Sequence, residues 1–177
     1  MDVDARLSNI GTDGYIDRAS VDLNSYYLQG GYFAENTSVK LIAFAGKEKT
    51  YHAWGYATKK EMEDFGRRYN PCGEMYTDAN GNKHFYDDQT DNYLQKNYQL
   101  LFNHTFSTAW NLNVALHYTK GDGYYEEYKD GRSLIEYGLK PFTIDGTEIT
   151  KSDLVRQKKM DNKFGGGVFL SIIQSTG

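Results

Sequence analysis

The chain has 177 residues, with 20 basic and 24 acidic side chains, a formal net charge of −4 and an isoelectric point near 5.6. That length fits a single domain, and that charge balance excludes a module that holds nucleic acid by bulk attraction. Mean hydropathy is −0.72 and no apolar run approaches the roughly 20 residues of a membrane helix, so helical spans are excluded too. Strand spans are not: a barrel strand needs only about 9–11 residues, half of them polar. Sixteen Tyr, nine Phe and only two Pro favour strands over disorder.

In chain order, the first strand-like run covers residues 2–9 and opposes Val3, Ala5 and Leu7 to Asp2, Asp4, Arg6 and Ser8. Gly11-Thr12-Asp13-Gly14 then marks a turn. The second run, 17–33, changes phase: Val21 and Leu23 take one parity, Tyr26, Leu28 and Tyr32 the other, so a β-bulge near Ser25 is expected. Residues 34–36 reverse the chain into a third run, 37–49, whose two parities are both fairly apolar and whose lipid-suited side stays unassigned.

The fourth run, 92–106, is the clearest. Leu94, Lys96, Tyr98, Leu100, Phe102, His104 and Phe106 alternate with Tyr93, Gln95, Asn97, Gln99, Leu101, Asn103 and Thr105. A turn at 107–110 leads to the fifth run, 111–124, with Leu112, Val114, Leu116 and Tyr118 opposed to Asn113, Ala115, His117 and Thr119. The sixth, from 156 to about 170, groups Met160, Phe164, Val168 and Leu170 against Gln157, Lys159, Asp161 and Lys163. Ribbons apolar on one side and amide-rich on the other, with aromatics toward their ends, make the pattern of an outer-membrane β-barrel wall. Such barrels have short periplasmic turns and long extracellular loops, which assigns 34–36 and 107–110 to the periplasm and 11–16, 50–91 and 125–154 to the outside.

The long stretches carry local signals of order. Thr58-Lys59-Lys60-Glu61 is a capping box, and Asn70-Pro71 a stop, which predicts a short helix over 58–69. Asn80-Gly81, between residues 75–77 and 84–86, and Asp145-Gly146, between 142–144 and 147–149, predict hairpins with type I′ turns.

Chemical motifs are sparse. Asp78, Asn80 and Asn82 resemble a calcium loop, but Lys83 stands at the glycine position and Gln89 at the bidentate glutamate position, so a hairpin turn is the better account. His52, His84, His104 and His117 lack a ligand spacing, and no cofactor or metal is expected. No nucleophile elbow or phosphate loop occurs, so the chain is not read as an enzyme. The lone Cys72 is either a free loop thiol or the partner of a cysteine outside this sequence. The N-terminus has no signal-peptide character, although outer-membrane proteins are exported, which leads to the expectation that the chain is part of a longer protein.

Several phrases are similar to the early barrel strands of TonB-dependent outer-membrane receptors of the Bacteroides type. They are residues 8–19 (Ser8 to Ala19), Tyr26-Tyr27-Leu28-Gln29-Gly30-Gly31-Tyr32, Lys47-Glu48-Lys49-Thr50-Tyr51-His52-Ala53-Trp54, Tyr69-Asn70-Pro71-Cys72-Gly73, and residues 91–98 (Asp91 to Tyr98). The resemblance implies an all-β chain: about six antiparallel transmembrane strands of a barrel of about 22, with two long structured extracellular loops. It further implies active import of a scarce extracellular ligand, such as a siderophore, haem, cobalamin or a glycan. TonB supplies the energy through a plug that this sequence lacks, as it lacks the aromatic-ended last strand, ending in Gln174-Ser175-Thr176-Gly177.

The expected setting is the outer membrane, with lipid, an extracellular ligand and TonB as partners and no nucleic acid. The candidate ligand-facing loop residues are Trp54, Tyr56, Arg67, Arg68, Tyr86, Tyr124, Tyr125, Tyr128 and Arg132. Aromatics there would stack on the ligand and arginines pair with its acidic groups. The alternatives are an interfacial girdle for the tyrosines, a passive porin or adhesin barrel, and a secreted glycan-binding β-sandwich.

Overall fold

A computed structural model of the chain describes residues 1–173, so the expectation about residues 174–177 lies outside the described part. The elements in chain order are β1 (Asp2–Thr12), β2 (Ser20–Phe33), β3 (Thr37–Tyr51), α1 (Lys59–Phe65), β4 (Glu74–Thr77), β5 (Lys83–Phe85), β6 (Thr90–Ser107), β7 (Trp110–Ser133), a 3-10 turn (Leu134–Tyr137), β8 (Phe142–Ile144), β9 (Thr147–Ile149) and β10 (Lys151–Ile173). The six long strands form one antiparallel sheet in the order β1-β2-β3-β6-β7-β10. Only neighbours along the chain pair, and the sheet does not close, leaving β1 and β10 as edges.

Alternation along each strand becomes segregation across the sheet because directly paired residues share a face. One row reads Val3, Gly30, Leu41, Leu100, Leu116; the next reads Ala5, Leu28, Ala43, Tyr98, Tyr118. The opposite face holds Asp4, Gln29, Ile42, Gln99 and His117, then Arg6, Tyr27, Phe44, Asn97 and Thr119. Polar side chains on this face bond to one another: the Asn103 amide donates to Asn113 (2.6 Å) and the Thr119 hydroxyl to Asn97 (2.7 Å). Among the described residues no element covers the middle of the apolar face. Val3, Leu7 and Leu41 are 73%, 86% and 59% exposed, which water penalises.

Register settles points that single strands leave open. The expected bulge at Ser25 is absent: β2 pairs without a shift against β1 from Val21 to Gly31 and against β3 from Ser20 to Phe33. Val21 and Leu23 therefore belong to the polar face, beside Thr50 and Glu48, while Tyr26, Leu28 and Tyr32 belong to the apolar one. In β3 the pairing assigns Val39, Leu41, Ala43 and Ala45 to the apolar face and Ile42 and Phe44 to the other.

In β10 the pairing reverses the expected sense. Phe164, Val168 and Leu170 are partners of Thr119, Ala115 and Asn113 on the polar face, whereas Phe169, Gly167 and Gly165 lie with Val114, Leu116 and Tyr118. His117 and Phe164 approach with ring centroids 4.9 Å apart.

The tight reversals stand where expected, with Ala34 and Thr37 bonded to each other (2.8 and 3.4 Å) and Ser107 paired with Trp110. The strands outrun the sequence reading at the other end. β1 continues to Thr12, and β7 and β10 extend to Ser133 and back to Lys151, so much of the stretch 125–154 is ladder rather than loop. Two glycines in β7 make room for an aromatic ring: a Cβ at Gly121 would stand 1.9 Å from the Tyr93 hydroxyl, and one at Gly123 would strike the Asn92 carbonyl.

Buried apolar side chains collect at the loop end. Among the described residues they are Ala45, Tyr51, Tyr69, Cys72 and Leu134, and all but Ala45 lie at or beyond the ends of the long strands. The segment between β3 and β6 thus has a small core of its own. Its helix is capped as expected: the Thr58 hydroxyl accepts from the Glu61 backbone N–H (3.2 Å), and Glu61 accepts from that of Thr58 (2.7 Å).

The two hairpins differ. Asp145 and Gly146 both have positive φ (49° and 79°), the type I′ turn expected between β8 and β9. Between β4 and β5 only Gly81 has positive φ (86°), and a longer loop from Asp78 to Asn82 replaces the expected two-residue turn.

Candidate functional site

The loop end is held by polar contacts around Asn70, which is fully buried. Its amide donates to the carbonyls of Asp17 (3.0 Å) and His52 (3.3 Å), and its side-chain oxygen accepts from the Cys72 N–H (3.0 Å). Arg18, at positive φ (63°), donates to the Asn70 carbonyl and sets its guanidinium 3.4 Å from the Phe85 ring centroid. The Tyr51 hydroxyl shares its one proton between the carbonyls of Cys72 (3.1 Å) and Tyr86 (3.0 Å). Gly73 must be glycine here, since its φ is +76° and a Cβ would lie 2.7 Å from that hydroxyl. The β1–β2 and β3–β6 connections are thereby tied into one unit.

Cys72 is buried within this unit, and its sulfur accepts the Gly55 N–H (3.0 Å). Burial pushes its thiol up from the usual range, which disfavours the thiolate form. Asp78 is a turn cap. Its carboxylate accepts from the backbone N–H groups of Asn80 (2.9 Å) and Asn82 (2.8 Å) and from the Asn82 amide (3.1 Å), and no group of three metal-ligating side chains occurs among the described residues.

Those bonds, the Asn82 side chain first, bring the Asp78 carboxyl down from 3.8 to about 2. A depressed carboxylate contributes stability above its unfolded value and loses it as pH falls through the folded one. Protection of the Asn80 and Asn82 amides from hydrogen exchange should therefore fall between about pH 4 and about pH 2. Asp78→Ala should abolish that pH dependence; protection flat across the window in the unaltered chain would refute the assignment.

The structure divides the candidate residues. On the polar side, Asp91, Tyr125 and Lys158 stand in one register row. His52 pairs with Asp91 (2.6 Å) and stacks on Trp54 at 4.4 Å and 7°, and Trp54 meets Tyr125 edge-on at 6.2 Å. Arg156 and Lys158 each lie 5.9 Å from the Tyr125 ring, and Glu127 pairs with both Lys129 and Arg156. Trp54 is 45% exposed, and Asp91 Oδ1 has no hydrogen-bond partner among the described residues. The result is a part-exposed aromatic platform flanked by Lys158 and by an Arg156 already paired with Glu127, with a buried carboxylate oxygen of Asp91 beneath it.

Tyr86, Tyr124 and Tyr128 take the other side, because consecutive strand residues such as Tyr124 and Tyr125 point oppositely. Tyr86 donates to Glu126 (2.9 Å), and Tyr128 to Asp153 (2.6 Å). Burial and the Glu126 carboxylate push the Tyr86 phenol up to about 12. The first bond holds the segment before β6 against β7, and the second joins β7 to β10. Tyr56 is 97% exposed, and Arg67 and Arg132 are exposed with no ion pair among the described residues. Arg68 pairs with Asp17 (3.1 Å) and lies over Tyr15. Of the nine candidates, only Trp54 and Tyr125 come together on the polar side.

His52, Asp91, Arg156 and Lys158 are additional members of the platform. A signal for them was present: Tyr125, Glu127 and Lys129 share a parity, as do Arg156 and Lys158. Seeing it requires carrying the ladder past Tyr124. No protein-family model, curated protein or solved structure matches the chain.

Proposed function

We propose that the chain forms part of the wall of an outer-membrane β-barrel of the TonB-dependent receptor type, serving ligand import rather than catalysis. The observation that carries this reading is the single six-stranded sheet whose apolar rows run uncovered from β1 to β7, opposite a face of bonded amides. Bilayer hydrocarbon is the medium that makes such a face favourable. The asymmetry of the connections supports it: two tight reversals at one end, ordered segments at the other. Both edges would be paired by further strands of the barrel.

In this reading the polar face lines the lumen, and Trp54 and Tyr125 present ring faces to an extracellular ligand. Arg156 and Lys158 attract its acidic groups. Import rather than passive passage follows from the resemblance to TonB-dependent receptors.

The membrane reading is tested with spin labels in the intact protein reconstituted in vesicles. Labels at Leu100 and Leu112 should be relaxed by dissolved oxygen, and labels at Gln99 and Asn113 by an aqueous nickel chelate; equal aqueous access at all four defeats it. For the transport role, Trp54→Ala with Arg156→Ala should reduce energy-dependent ligand uptake by about tenfold. Uptake insensitive to collapse of the proton-motive force would favour a passive pore.

A further inference from the structure

The apolar face carries charge where its apolar rows end. Lys96 is the partner of Lys120, and Lys120 of Lys163, so three lysines stand in one row across β6, β7 and β10. The row lies on the loop side of Tyr98 and Tyr118, which stack at 6.5 Å, and is displaced from them by about 7 Å along the strands.

Like charges directly opposite one another across a ladder repel. Asp122 and Asp161, one row further toward the loops, relieve part of this by pairing with Lys120 (3.3 Å) and Lys163 (3.6 Å). Among the described residues no ion pair includes Lys96, nor Lys47, which stands diagonally from it. Four ammonium groups therefore face two carboxylates, in a protein whose overall charge is negative.

Along the aromatic row and the row beyond it, away from the lysines, the surface is grooved. Leu28, Leu41, Leu100 and Leu116 rise around Gly30 and Ala43, leaving a shallow apolar channel of about 650 Å³. A cationic row above an apolar channel matches one kind of molecule: an anionic head on hydrocarbon tails.

We infer that the Lys96, Lys120 and Lys163 row, with Lys47, is a headgroup site for a phosphorylated, multiply acylated membrane lipid, its phosphates on the ammonium groups and an acyl chain along the Leu28–Leu41–Leu100–Leu116 channel. This rests on the membrane reading above and adds the class of lipid. Phosphate is the fitting anion because several point charges in a row can share a dianionic group, whereas two lysines already hold carboxylates from within the chain.

The test uses the intact protein reconstituted in phosphatidylcholine vesicles, with and without a bisphosphorylated, acylated glucosamine disaccharide lipid. After extraction into detergent, native mass spectrometry counts the lipid retained. The phosphorylated lipid should be retained over its dephosphorylated analogue by about tenfold or more. Lys96→Gln/Lys120→Gln/Lys163→Gln should bring the two to parity, and Lys96→Gln alone, which leaves both aspartate pairs intact, should give an intermediate ratio. Lys59→Gln/Lys60→Gln/Lys140→Gln, away from the row, should retain full preference.

Equal retention by the row variants and the unaltered protein overturns the inference, as does displacement of the lipid by inorganic phosphate. A protein that enters neutral vesicles yet shows no preference defeats the lipid site and leaves the membrane reading standing. One that enters no vesicle defeats both.

Discussion

Val114→Arg should cost roughly 2–4 kcal/mol of folding stability in a bilayer, whereas Asn113→Arg, one residue away, should cost about 1 kcal/mol. Val114 stands between Phe102 and Phe169 on the apolar face, where an arginine would meet hydrocarbon. Asn113 looks the other way, accepts from Asn103 (2.6 Å) and donates to Asn111 (2.9 Å). Losing those bonds is the main expense of its replacement, because a guanidinium on that face stays hydrated. Urea titration of the intact protein folding into vesicles measures both variants. Equal costs would mean the two faces do not differ in environment, and the membrane reading would fall with them.

Asn70→Ala should open the loop end while leaving the sheet folded. Three groups lose their partners: the buried N–H of Cys72 and the part-buried carbonyls of Asp17 and His52. An unsatisfied buried group costs about 1–3 kcal/mol and the two part-buried carbonyls less, so a local loss of about 2 kcal/mol or more is expected. Hydrogen exchange should then quicken through residues 52–89 while amides in the middle of β6 and β7 keep their protection. A substitution that left the 52–89 amides protected would show that the segment is held by its apolar contacts instead. On the ligand-facing role proposed for Trp54, ligand binding should also fall with Asn70→Ala, since the His52 carbonyl anchors the segment after β3 that carries Trp54.

Much of the architecture was legible because a strand writes its two environments in alternate letters. Residues 92–106 and 111–119 identified both faces of β6 and β7, and the pairing of Leu100 with Leu116 and Asn103 with Asn113 agrees with them. The reversals at 34–36 and 107–110, the Thr58 capping box and the Asp145-Gly146 turn were equally readable, since each depends on the conformational preferences of adjacent residues.

Where letters do not differ, alternation is silent. In β3 both parities are apolar, so only its register against β2 and β6 assigns Leu41 to one face and Phe44 to the other. In β2 the change of phase arises from side chains rather than backbone: Leu23 is an apolar residue on the polar face, and no inserted residue is needed. β10 shows the limit most plainly. Its larger apolar residues, Phe164, Val168 and Leu170, share one parity, yet pairing with β7 places that parity among Thr119, Ala115 and Asn113, because a shift of one residue exchanges the faces of a whole strand.

The sequence by itself determined the six long strands, the order implied by short reversals, and the segregation of apolar from amide side chains along β6 and β7. All of these follow from local periodicity and turn chemistry. Tertiary structure alone decided which residues meet at the loop end. The contact of Trp54 with Tyr125, the approach of Arg156 and Lys158, the burial of Asn70 and the row of Lys96, Lys120 and Lys163 each join segments separated by tens of residues. Such meetings depend on strand register and on how far each ladder runs before it ends, and neither quantity is written in any one strand.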